Sequence, residues 1–69
     1  MGATTLIKSA MIHKKKKVGY VAKELGMDSR VLSTQLVRDV MNYKRVEEIA
    51  TVLGCRIVFE DIETGEIYR

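Results

Sequence analysis

The chain has 69 residues, a formal net charge of +3, one cysteine and no proline. At this length one small domain is expected, burying only about 60% of its unfolded surface, so pairing with a second copy is the usual way to gain stability. The lone Cys55 excludes an internal disulfide, no Cys/His cluster can hold a structural metal, and no apolar run is long enough for a membrane span or a signal peptide, which leaves a reducing cytoplasm as the expected compartment.

Taken in chain order, the first helix is expected to start at Thr4 or Thr5, either of which can cap it, and to run to about Lys14. Leu6, Ala10 and Met11 form its buried stripe, with Ile7 at the flank. The second helix spans about Val18 to Leu25, where Val18, Val21, Ala22 and Leu25 fall at i, i+3, i+4 and i+7. Gly26 follows at a sharp turn that favours positive φ, and Ala22 must be small because another helix crosses close above it. The third helix begins with Asp28 as its N-cap and runs to about Arg38, with Leu32 and Leu36 inward and Met27 stapled to Leu32.

Residues 39–43 read as a loop, and a fourth helix is expected over roughly 44–53, with Val46, Ile49, Ala50 and Leu53 on one face and Gly54 ending it. The period then changes to two. In Cys55–Glu60, positions 55, 57 and 59 share a face, Glu63-Thr64-Gly65 signals a turn, and Glu66-Ile67-Tyr68 forms the returning strand. The whole is a mainly α domain over residues 1–69: four to five short helices, a helix-turn-helix at about 18–38, and a C-terminal hairpin at about 55–69. A lone hairpin is marginal in water, so it either packs on the helices or pairs with the same hairpin of a second chain. Ile57, Phe59 and Ile67 are the candidate dimer-interface residues.

Charge is unevenly spread. Residues 1–45 carry ten basic and three acidic side chains, a net +7, whereas residues 46–69 carry two basic and six acidic ones, a net −4. One end of the molecule therefore attracts polyanions and the other repels them. A charge run is most often a solvated surface, but here the basic part coincides with the helix-turn-helix.

The run Val21-Ala22-Lys23-Glu24-Leu25-Gly26-Met27-Asp28, the helix bearing Val31-Leu32-Ser33-Thr34, and the late helix Val46-Glu47-Glu48-Ile49-Ala50-Thr51-Val52-Leu53-Gly54-Cys55 together resemble a Cro/repressor-type (Xre-like) helix-turn-helix domain over nearly the whole chain. The resemblance implies a DNA-binding regulator with a recognition helix at 28–38 and a dimer made by its terminal strand or hairpin. One edge departs from the pattern. Such proteins commonly open the second helix with a Ser or Thr cap followed by Gln, where this chain has Lys17-Val18-Gly19. Either Gly19 lets the backbone approach a phosphate while Lys17 supplies charge, or this edge no longer touches DNA.

With Leu32 and Leu36 inward, Ser29, Arg30, Ser33 and Thr34 face outward and are the base-reading candidates, with Val37 further along. Arg30 can bond bidentately to guanine O6 and N7; its plainer roles are a phosphate contact or an ion pair with Asp28 or Glu24. Lys14, Lys15, Lys16, Lys17, Gly19 and Arg38 are the phosphate candidates, against a solubilising loop for the lysine run. His13 reads as a surface residue, Cys55 as a small buried hydrophobe, Ile57 and Phe59 as core or interface, and Tyr20 and Tyr43 as cover for the core's edge.

No nucleophile–base pair, cleft carboxylate pair or Gly-rich phosphate loop occurs, so neither enzymatic activity, a cofactor, a metal nor a small-molecule ligand is expected. The expected partners are double-stranded DNA and a second copy of the chain. Two alternatives stand beside this reading. One is a protein-binding module on the same fold, antitoxin-like or inhibiting a nucleic-acid enzyme through its acidic hairpin. The other is RNA or non-specific DNA binding by the lysine run, which lacks the interleaved aromatics of stacking platforms.

Overall fold

The computed structural model describes residues 2–69, and among them are four helices and a two-stranded antiparallel hairpin. The helices are α1 (Ala3–Lys14), α2 (Val18–Leu25), α3 (Ser29–Arg38) and α4 (Tyr43–Val52); the strands are β1 (Phe59–Glu60) and β2 (Ile67–Tyr68). The mainly helical fold with a terminal hairpin is thus the one the periodicities predict.

The core is a single cluster of Ile7, Val21, Ala22, Leu32, Leu36, Ile49 and Leu53, and among the described residues no polar side chain is buried with it. Each helix contributes the stripe its apolar spacing offers, because side chains three and four apart share a helix face. α2 packs chiefly on α3 and on α4. Ala22 lies at this meeting of helices almost without solvent exposure, which accounts for its size.

α1 departs from expectation in two ways. It starts at Ala3, and neither Thr4 nor Thr5 caps it; Gly2 occupies the cap position without a side-chain bond. The missing acceptor comes from far along the chain. Asp39 Oδ1 accepts the Thr4 backbone N–H at 3.1 Å, and the Thr4 hydroxyl sits 2.6 Å from the Leu36 carbonyl oxygen and 3.0 Å from Asp39 Oδ1. A Cβ at Gly2 would overlap that carboxylate, so a larger residue there requires the Asp39 side chain to shift. The inward stripe is accordingly Ala3, Ile7, Ala10 and Met11, with Ile7 6% exposed and Leu6, expected inside, 75% exposed.

Asp39→Ala removes the acceptor for an orphan helix N–H and places alanine in left-handed backbone, at φ 55°. The substitution is expected to destabilise the chain by about 1–2 kcal/mol in urea unfolding. Asp39→Asn keeps an acceptor oxygen and tolerates that backbone, and should retain most of the lost stability.

All four described helices close alike. Lys15, Gly26, Asp39 and Gly54 each follow a helix with positive φ, at 56°, 69°, 55° and 73°. The next residue's N–H reaches back five positions in every case: Lys16 to Met11, Met27 to Ala22, Val40 to Gln35 and Cys55 to Ala50. This is the Schellman closure, which satisfies carbonyls at the helix end. At the other ends, Asp28 Oδ1 accepts Arg30 N–H at 2.7 Å and Asn42 Oδ1 accepts Arg45 N–H at 2.8 Å. The Asn42 cap starts α4 one residue before the expected position, and Leu53 packs into the core from just beyond the helix.

The C-terminal segment is corrected more substantially. Only Phe59↔Tyr68 and Glu60↔Ile67 pair, not a strand from Cys55 to Glu60. The closure at Gly54 commits the Cys55 N–H to Ala50, and residues 55–58 then run beside α1 and α4, lining an apolar groove with Leu6, Tyr43 and Ala50. Cys55 is exposed rather than a buried hydrophobe, Ile57 is half-buried, and Phe59 faces solvent instead of core. Both strands are exposed, so the ladder itself does not pack on the helices. The molecule measures 40 × 21 × 19 Å.

The hairpin's turn is internally well made. Asp61 Oδ1 accepts the N–H groups of Glu63 at 2.8 Å and Thr64 at 3.3 Å, and Gly65 takes positive φ. Those amides, with the Tyr68 hydroxyl, hold the Asp61 carboxyl below the usual aspartate range.

Candidate nucleic-acid interface

α2, the turn at Gly26 and α3 form the helix-turn-helix unit. The inner face of α3 is fixed by Leu32 and Leu36 in the core, and this sets which side chains point outward. Arg30, Thr34 and Val37 lie opposite the buried pair; Val37 is 80% exposed. Ser29 and Arg38 are exposed at the two ends of the helix, whereas Ser33 is half-buried on its flank. The expected outward set therefore comes together on one helix, with Ser33 the least accessible member.

Arg30 pairs with neither Asp28 nor Glu24. The one ion pair among the described residues joins Arg45 to Glu48 at 3.1 Å. Asp28 spends its carboxylate on the Arg30 backbone N–H, which caps α3 and leaves the guanidinium without a protein partner. Thr34 is more constrained. Its hydroxyl donates to the Arg30 carbonyl at 2.9 Å, so its proton is engaged within the helix, while its methyl and lone pairs remain for contacts outside.

The lysine run divides at the α1–α2 junction. Lys14 ends α1, Lys15 is the left-handed residue of its closure, and Lys17 is the extended cap residue of α2. All four lysines are exposed. The Lys14 ammonium leans toward Gly54, 3.7 Å from where a Cβ would stand there, close to the negative end of the α4 dipole. Lys15, Lys16 and Lys17, with Lys8, instead surround a groove floored by Met11, Ile12 and Val18. Lys16 also places its ammonium 4.5 Å from the centre of the Tyr20 ring, within cation–π range.

No side chain caps α2, and a Cβ at Gly19 would meet nothing within 4 Å. The first turn of α2 thus presents backbone in open surroundings beside Lys17. Packing within the chain does not require glycine at this position.

Two features escaped the sequence reading. Val31 adds exposed apolar surface beside Val37, the one apolar residue of this helix expected outward; the Leu32–Leu36 spacing puts both off the core face. Gln35 is three residues beyond Leu32, and its buried Oε1 lacks a partner beside a crevice lined by Asn42, Lys44, Arg45 and Glu48. That spacing alone marks Gln35 as partly inward.

Among the described residues no group of three or more His, Cys, Asp or Glu side chains could hold a metal, and no helix is long and apolar enough to cross a membrane. His13 is exposed, its Nδ1 2.9 Å from the Ser9 carbonyl oxygen. No protein-family model matches the chain, and neither does any curated protein or solved structure.

Proposed function

We propose that this chain is a cytoplasmic, sequence-specific double-stranded-DNA-binding regulator of the Cro/repressor (Xre-like) kind, acting as a homodimer that lays α3 in the major groove. The observation that carries the reading is the unpaired Arg30 guanidinium on the outer face of a helix whose inner face is locked by Leu32 and Leu36. A groove that admits a helix and codes each base pair by donors and acceptors suits such a presentation. Lys15, Lys16, Lys17 and the open first turn of α2 neutralise and approach the flanking phosphates. The Thr34 methyl and Val37 suit thymine methyl groups. A twofold dimer would span half-sites about 34 Å apart and repress by blocking polymerase.

Selection from a random-sequence duplex pool at near-physiological salt tests the proposal. A twofold-symmetric enriched motif is the expected outcome. On that motif Arg30→Ala should cost about 1–3 kcal/mol and relax preference at one base position. Equal loss on every sequence would make Arg30 a phosphate contact, and binding without enrichment would end the base-reading proposal.

The second reading, a protein-binding module of antitoxin-like or inhibitor type, draws on the exposed acidic hairpin with its solvent-facing Phe59 and Ile62. A partner protein that copurifies through the hairpin, with no enriched DNA motif, would favour it.

A further inference from the structure

Two surfaces of opposite character remain once the helix packing and the outer face of α3 are accounted for. One is the groove of about 540 Å3 at the α1–α2 junction, with Met11, Ile12 and Val18 as its floor and Lys8, Lys15, Lys16 and Lys17 around it. Ile12 is a largely exposed isoleucine with no covering element. The other surface is the hairpin. Ile62 at its tip is 99% exposed and Phe59 78%, while Glu60, Glu63 and Glu66 have no basic partner among the described residues. No hairpin residue lines the groove of its own chain.

A phosphate backbone satisfies the lysines but leaves the apolar floor in water. The hairpin offers both complements, carboxylates for the rim and isoleucine and phenylalanine for the floor. We infer that the groove receives the hairpin of a second copy of this chain. Of the residues expected for a dimer interface, Phe59 thereby gains a specific receiving surface, joined there by Ile62, in an arrangement different from a like-to-like pairing of two hairpins. A contact between unlike patches closes into a twofold pair when exchanged reciprocally and propagates when it is not. The inference does not depend on the DNA reading, although it makes the hairpin and phosphate competitors for Lys15, Lys16 and Lys17.

The test is sedimentation velocity of the full chain at about 0.05 M and about 0.5 M salt, a range over which screening of exposed charges becomes severe. The parent should sediment as an associated species at low salt and as the 7.8 kDa monomer at high salt. The set Lys8→Glu, Lys15→Glu and Lys17→Glu should abolish association at low salt, and so should the set Glu60→Lys, Glu63→Lys and Glu66→Lys. Lys16 is left intact because it stacks on Tyr20. Both sets in one chain restore the net charge of +3 and should restore association. Ile62→Asp changes a side chain that touches almost nothing in the monomer, so it should remove association without loss of helical circular dichroism. A parent monomeric at low salt, lysine reversals that still associate, or a doubly reversed chain that stays monomeric would each overturn the inference.

Discussion

Leu32→Ala should remove about 2–5 kcal/mol of unfolding free energy, enough to leave a large fraction of the chain unfolded at room temperature. Leu32 is 1% exposed and is among the largest fully buried side chains, in one cluster with Val21, Ala22 and Ile49. Truncation forfeits its transfer free energy and leaves a cavity that three crossing helices cannot readily collapse. A domain of this size has only about 3–10 kcal/mol in total. The check is urea unfolding followed by circular dichroism, with Val37→Ala as the comparison. Val37 sits on the same helix, faces solvent, and should change stability by less than about 0.5 kcal/mol. Equal effects at the two positions would mean that the inner and outer faces of α3 are wrongly assigned.

The second large effect concerns salt. If Lys15, Lys16 and Lys17 each neutralise one phosphate, replacing Lys14, Lys15, Lys16 and Lys17 by Gln should flatten the slope of log affinity against log salt by about 2.7. Between roughly 50 and 200 mM salt the parent would then lose about 40-fold more affinity than the variant. The division of the run refines this expectation. Lys14 leans toward Gly54 whereas the other three surround the groove, so Lys14→Gln alone should barely move the slope. Each of Lys15→Gln, Lys16→Gln and Lys17→Gln should lower it by about 0.9. Filter binding or fluorescence titration on one duplex at several salt concentrations measures all of these. An unchanged slope in the fourfold variant would leave the lysines as solubilising charge.

What the sequence revealed depended on how local the determining interactions are. The α2 and α3 boundaries were readable because Val18, Val21, Ala22 and Leu25 carry an uninterrupted helical period and Asp28 caps its own neighbour. The start of α1 was not, because its N-terminal acceptor is Asp39, and no local pattern announces a cap supplied by another helix. Leu6 and Ile7 exchanged places for the same reason: a shift in where a helix packs rotates its whole stripe. The strand from Cys55 was overdrawn because alternating apolar residues suit an extended segment beside the helices as well as a ladder.

At the candidate interface, Arg30 and the lysine run could be named from spacing and charge. The loss of Thr34 as a donor and the turning away of Lys14 could not, since both follow from where neighbouring backbone happens to lie.

The contact between Thr4 and Asp39 has a kinetic side. It joins positions 35 residues apart, while the helices form from contacts close in sequence and α2 and α3 meet across a short turn. Chain entropy disfavours the distant closure until the intervening helices have already brought its ends together. Docking of the first helix is therefore expected late in assembly, with the clamp forming after the rate-limiting step. Thr4→Ala, which loosens the clamp without touching the α3 closure, should accordingly leave the refolding limb of a chevron plot almost untouched and raise the unfolding limb, so that the contact acts as a latch on escape from the native state.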